Sequence, residues 1–249
     1  MTRRVVIVFV LASAAIPGAA MGCTCARSLP PCQAFWTSDA VFDGTVIDIE
    51  RVPRRLAFDD GTVFMSAERV VTFRVLTGWR GVSRGVVSIS TGPEGGDCWL
   101  DFAIDGRYVV YAAKSSQDGR LEANFCGRTA AYAGAGEDVA FFESLSRPAT
   151  GGRVFGKIKR SGGPPDSAAP PRAGRPIETP VHLTGPGFAR TVPSTNGKFE
   201  FTGLAPGTYS LRIDAPPEFI VYAGERSVDL PNPRACVAEE FQLSGQLRR

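Results

Sequence analysis

One histidine, His182, serves a chain of 249 residues. That scarcity removes the commonest general base and the commonest metal ligand from nearly the whole molecule. A His-Glu-x-x-His zinc pair cannot be written with a single imidazole, and no phosphate-cradling Gly-Lys-Ser/Thr loop is present. No serine is set in a strand–turn–helix nucleophile elbow. His182 itself lies between Val181 and Leu183 in an expected strand, where a lone histidine is a surface or core polar residue, so no site is assigned to it. The carboxylate runs Asp59-Asp60 and Glu239-Glu240 read as a turn and a solvated face rather than as acid–base pairs.

Charge of one sign is missing too. Lys and Arg number 28 against 25 Asp and Glu, for a formal net charge of +3. The two signs are interspersed, without a dense basic stripe, which excludes nucleic acid as the partner. Beyond residue 16 no run is long and apolar enough to span a bilayer as a helix. The expectation is a non-enzymatic protein with no cofactor and no metal of its own.

What is present begins with a leader. Arg3 and Arg4 supply a positive start, residues 5–16 are apolar and uncharged, and Pro17-Gly18 breaks the run. The stretch is too short for a transmembrane helix and reads as a signal peptide over 1–22. Ala20-Met21-Gly22 puts small residues three and one before Cys23, so the mature chain is expected to start there, secreted or in the periplasm or envelope. Acylation of Cys23 is the alternative, giving a lipoprotein and the one route to a membrane. Cutting after Ala20 instead leaves a Met21-Gly22 tail. Six cysteines in an exported chain point to disulfides and an oxidising compartment.

The connector SRPATGG, residues 146–152, divides the mature chain into modules over 23–148 and 152–247. The first reads as strands at 40–52, 68–76, 86–90, 107–113 and 121–126. In the second of these Val71, Phe73 and Val75 share a face. AGAGEDVAFFESL follows as a helix with Val139, Phe142 and Leu145 inward. In the second module GRVFGKIKRS is a strand, GGPPDSAAPPRAGRP a flexible loop and ETPVHLTGPG a strand and turn. Asn196-Gly197 predicts a hairpin, Phe199 and Phe201 face inward, Pro206-Gly207 fits a type II turn, and Tyr209, Leu211 and Ile213 alternate inward. The fold class is all-β with a minor helix: an OB-type five-stranded barrel and then a β-sandwich.

Cys23-Thr24-Cys25, a Pro-containing spacer, AFWTSDAVFDGTV, GDCWLDFAIDGRYVVYA and LEANFCGRTAAY together resemble the N-terminal domain of the tissue inhibitors of metalloproteinases, within the netrin-like group of OB-fold modules. TNGKFEFTGLAPGTYSLRIDAP resembles the carboxypeptidase-regulatory-like domain, a transthyretin-like β-sandwich. The first resemblance implies bridges Cys23–Cys98 and Cys25–Cys126, each worth about 3–5 kcal/mol in the chain-entropy model. The cysteine that family carries after AF is Trp36 here. Cys32 and Cys236 therefore either pair across the modules or remain free thiols. Some surface domains of the second kind form a Lys–Asn isopeptide bond, for which Lys157 or Lys159 would serve, but VAEEFQLSG offers no Asn.

The resemblance also implies a mechanism. A catalytic zinc keeps one coordination position open. The α-amino nitrogen and carbonyl oxygen of Cys23 would chelate that protease zinc, while the Thr24 side chain enters the protease's specificity pocket. Only a neutral amine binds metal, and an α-amino pKa of about 7.7–8.0 makes it accessible. The bridges would hold the arm rigid and reduce the ordering cost. PEGGDC before Trp99 would stand beside the same partner. The other reading is that Cys23 and Cys25 staple an arm onto a barrel, and the protein is a secreted or lipid-anchored envelope scaffold without inhibitory activity. The ligand of the second module is not specified by the sequence.

Overall fold

The computed structural model describes residue 25 and residues 28–57, 60–93, 100–160 and 177–245. The first half contains α1 (Pro31–Thr37), β1 (Ala40–Ala57), β2 (Val63–Arg80), β3 (Gly85–Pro93), β4 (Arg107–Lys114), β5 (Leu121–Glu122), β6 (Ala130–Ala131) and α2 (Gly136–Ser144). Five strands lie in the order β1-β2-β3-β5-β4, and β1 pairs again with β4, so the sheet closes on itself as an OB-type barrel. β6 pairs with the first half of β4. Closure requires β1 to bend. Its register against β2 slips at Asp43/Gly44 and again at Val46/Asp48, and such bulges kink a strand. Gly44 sits inside that bend, where a Cβ would come within 3.1 Å of the Arg74 carbonyl oxygen.

Phe42, Val46, Val71, Phe73, Ile89 and Val110 fill the barrel, with Phe73 edge-on to both Phe42 and Phe102. The outer faces of β1 and β4 are also covered: Val41, Val109 and Tyr111 pack under Ala34 and Phe35 of α1 and Phe142 of α2. Burial on both faces explains why these strands read as apolar runs instead of clean alternations. The sequence reading did not foresee α1. Seven residues are too few for a helical stripe, although Pro31 at its first turn suits helix entry. The strand expected over 121–126 ends at Glu122. Residues 123–126 leave the sheet as a turn that carries Cys126 to its bridge.

The second half holds β7 (Gly152–Arg160), β8 (Pro180–Gly185), β9 (Phe188–Pro193), β10 (Lys198–Leu204), β11 (Gly207–Ile213), β12 (Phe219–Val221), β13 (Glu225–Leu230) and β14 (Cys236–Gly245). They form two four-stranded sheets, β10-β7-β14-β12 and β13-β11-β8-β9. Between the sheets lie Val154, Phe199, Phe201, Tyr209, Leu211 and Phe241, and the expected alternations of β10 and β11 hold. Their turns behave differently from the expectation. Asn196 (φ 51) and Gly197 (φ 68) take the paired left-handed geometry of a hairpin turn. Only one bridge, Thr195–Lys198, flanks it, because β9 enters one sheet and β10 the other. Pro206-Gly207 also crosses between sheets, with Gly207 at φ 151 and not the roughly +80° of a type II turn. Turn residues fix a reversal of the chain; the alternating apolar faces decide which sheet each strand joins.

Barrel and sandwich are welded. Cys32 of α1 is bridged to Cys236 of β14, with Cα atoms 5.5 Å apart, which resolves the alternative left open by the sequence. Gln33 Oε1 accepts a hydrogen bond from Ala238 N at 3.1 Å, and Arg234 donates to the carbonyl of Arg147 at 2.6 Å. Trp36 packs against both the sandwich core and the outer core of the barrel.

Candidate functional site

Cys23 and Thr24 lie outside the described residues, as do Cys98, Trp99 and the loop over 94–99. The Cys23–Cys98 bridge, the zinc chelate and the Thr24 contact therefore fall there too. The arm enters the structure at Cys25, bonded to Cys126 with Cα atoms 5.3 Å apart. A few residues on, Leu29 offers its carbonyl to Arg128 Nη1 at 2.9 Å. The same guanidinium forks onto Asp138 of α2, Nε to Oδ1 at 2.7 Å and Nη2 to Oδ2 at 2.8 Å. Tyr111 donates its hydroxyl to Asp138 at 2.6 Å. Burial first, then the bond to Asp138, pushes the Tyr111 phenol far above its usual range, and the Asp138 contact holds Arg128 more firmly protonated. A buried carboxylate is tolerated when paired and hydrogen-bonded, and here that pairing pins the arm. Sequence reasoning missed Arg128, since no spacing rule marks an arginine two residues after a bridging cysteine.

Ser28, Pro30, Arg128 and Glu137 form one wall of a cleft of about 750 Å³, within the range of small-ligand sites. The outer face of β10-β7-β14, where Phe155 and Ala238 are register partners, forms the other together with Val192, Pro193 and Thr195 at and just past the end of β9. Its carboxylates have partners: Glu240 with Lys159 at 2.7 Å, Glu200 with Arg153 at 2.8 Å, Glu239 with Arg226, and Glu137 with Arg128 at 3.4 Å. Lys157 and Lys198 differ. They are register partners across β7 and β10, and among the described residues neither side chain has an ion pair or hydrogen bond.

Other polar groups gather without forming a site. His182 Nε2 meets Asp214 Oδ2 at 2.7 Å and its Nδ1 meets Thr191 Oγ1 at 2.9 Å. This hydroxyl–imidazole–carboxylate chain lies on the outer surface of β8 and β9, whereas acyl transfer also needs donors converging on an oxyanion. The spacing Gly81-x-Ser83-x-Gly85 spans the turn from β2 to β3. No helix follows it, so it is a hairpin turn and not an elbow. Among the described residues no three His, Cys, Asp or Glu side chains are placed to hold a metal ion, and no helix is long and apolar enough to cross a membrane.

No family model matches the chain, and no curated sequence does. Among solved structures it is similar to the Bacillus anthracis TIE protein, at 9% identity and a TM-score of 0.30, over 84% of this chain and 35% of that one. The chain thus spans about a third of that protein's length. GBS52, the minor pilin of Streptococcus agalactiae, gives 9% identity and a TM-score of 0.28 over 85% of each chain. The Streptococcus pyogenes major pilin gives 8% and 0.17 over 84% and 94%. These superpositions are too loose to carry a functional argument.

Proposed function

We propose that the chain is an exported, non-enzymatic scaffold or interaction protein whose two modules act as one rigid unit. The weld carries this reading: a disulfide, a shared tryptophan and a hydrogen bond from Ala238 N to the Gln33 side chain join α1 to the sandwich. Fixing two modules before a partner arrives removes ordering cost from binding and presents a composite surface. Ser28 and Pro30 border the cleft shared with the sandwich, so a partner seated there meets both modules. The disulfides fit an oxidising compartment outside the cytosol.

A second reading keeps the resemblance to the tissue inhibitors of metalloproteinases. The Cys25–Cys126 bridge and the β1-β2-β3-β5-β4 closure favour it, the first being the pairing that resemblance implies. In that reading Cys23 chelates a protease zinc and Thr24 probes its specificity pocket. The two-sheet sandwich with inward Phe199, Phe201, Tyr209 and Leu211 supports the carboxypeptidase-regulatory-like, transthyretin-like assignment of the second module. One experiment separates the readings. Mass spectrometry of the exported protein gives the mature N-terminus and any acyl group, and the same material is then assayed against a panel of zinc endopeptidases beside a form extended by one alanine. The scaffold reading expects no inhibition by either. Inhibition by the native form that the extra alanine abolishes would replace it with zinc chelation, because an amide nitrogen cannot substitute for a neutral amine.

A further inference from the structure

We infer that the cleft between the N-terminal arm and the sandwich binds a small amphipathic anion, a carboxylate or phosphate group carried on a flat apolar body. The inference rests on the two modules being held together, since each supplies one wall. Charge is the first observation. Every glutamate that lines the cleft is already matched to a cation. Lys157 and Lys198 are left over, facing each other across an antiparallel pair where Cβ atoms stand about 5 Å apart. Like charges directly opposite one another destabilise a sheet, and an oxyanion between the two ammonium groups converts that repulsion into charge-assisted hydrogen bonds.

Shape and polarity supply the rest. Phe155 lies on the same outer face as Lys157, two positions away on β7, flanked in register by Ala238 on β14. The Arg153 guanidinium sits over its ring, 4.7 Å from the centroid. Pro30 lines the facing wall, so an apolar body can lie on Phe155 while its anionic end reaches the lysines. Volume, apolar wall residues and two converging unpaired cations are the features of a small-ligand site.

The test uses the full mature chain with its disulfides intact and phenyl phosphate as the probe, titrated at low salt where surface charge is least screened. Inorganic phosphate and benzyl alcohol serve as the two half-ligands, and benzoate runs in parallel to tell a carboxylate site from a phosphate site. At least one aromatic anion should bind more tightly than either half-ligand. Lys157→Gln and Lys198→Gln should each weaken it by about tenfold, the worth of one hydrogen bond to a charged group. Their unfolding midpoints should stay level or rise, since the repulsion is gone. Phe155→Ala should weaken phenyl phosphate and leave inorganic phosphate unchanged. Binding undiminished in the double lysine variant, or a double variant that unfolds more easily than the parent, would overturn the proposal. Small-angle scattering on the same samples keeps the two ideas apart. No binding with the modules docked sinks this inference alone, whereas undocked modules sink the rigid-unit reading.

Discussion

Glu68 is fully buried in the barrel sheet and carries its charge there because three groups answer it. Arg54 Nη1 lies 2.7 Å from Oε2, Ser90 donates to the same oxygen at 3.0 Å, and Arg120 meets Oε1. Glu122 Oε1 also stands 2.7 Å from Arg54 Nη1, close enough for an ion pair but without hydrogen-bond alignment. Removing the carboxylate takes from buried Arg54 its hydrogen-bonded partner and leaves it the ion pair with Glu122, so Glu68→Ala should lose about 3 kcal/mol of stability in urea titrations. A loss well under that would mean Arg54 swings out to water or settles on Glu122. At the surface the sign of a pH effect can be tested on Asp214. Its hydrogen bond from His182, then the charges of His182 and Arg212, hold its carboxyl below the usual range. A carboxylate depressed in the folded state stabilises the fold above its unfolded pKa of about 3.9, and that contribution disappears as pH falls through the folded value. Asp214→Asn should therefore unfold at a lower temperature than the parent near neutral pH, and the two midpoints should converge as pH falls to about 2. A gap that persists in acid would assign the effect to packing.

At the level of elements, the sheets show what pattern can and cannot reveal. β10 and β11 were legible because Phe199, Phe201, Tyr209 and Leu211 alternate with polar residues, and period two is the direct signature of a half-buried strand. α1 was not, since seven residues that bury only Ala34 and Phe35 leave no periodic trace. The sheet-switching at Asn196-Gly197 was hidden for another reason: a turn signal is local and strand partnership is not. The register of β7 beside β14 has its own constraint. A Cβ on Gly156 would stand 2.0 Å from the Glu239 carbonyl oxygen and 2.6 Å from the Phe199 ring, both too close for the strands to keep their spacing. Gly156→Ala should cost about 1–3 kcal/mol, the usual range for overpacking, and should lower the unfolding midpoint of the bridged chain in calorimetry. An unchanged midpoint would show that β7 and β14 part at little cost.

For the whole molecule, the candidate site was only half legible. The arm drew attention through Cys-Thr-Cys, but the cleft depends on how α1 docks against β14, and that docking joins Cys32 and Trp36 of α1 to a sandwich whose Cys236 lies 204 positions from Cys32 in the chain. The same weld sets the last expectation. Its cysteines are separated by 204 positions, and closing so long a loop is worth about 5 kcal/mol in the chain-entropy model. The sandwich core and the barrel cores are otherwise built from separate sets of side chains, with Trp36 the partly buried residue common to both sides. With the bridge closed, loss of one module strips the other of its docked face, so a single coupled transition is expected. Replacing Cys32 and Cys236 together by serine leaves Gln33, Arg234 and the Trp36 packing to hold the modules, a few ordinary contacts against the entropy of a free second body. Scanning calorimetry of that variant should resolve two transitions, and the residue 153–249 fragment carrying Cys236→Ser should reproduce the sandwich one. A single transition surviving in the double variant would show that α1 and Trp36 couple the cores unaided, and a fragment that melts without cooperativity would show that the sandwich needs the barrel in order to fold.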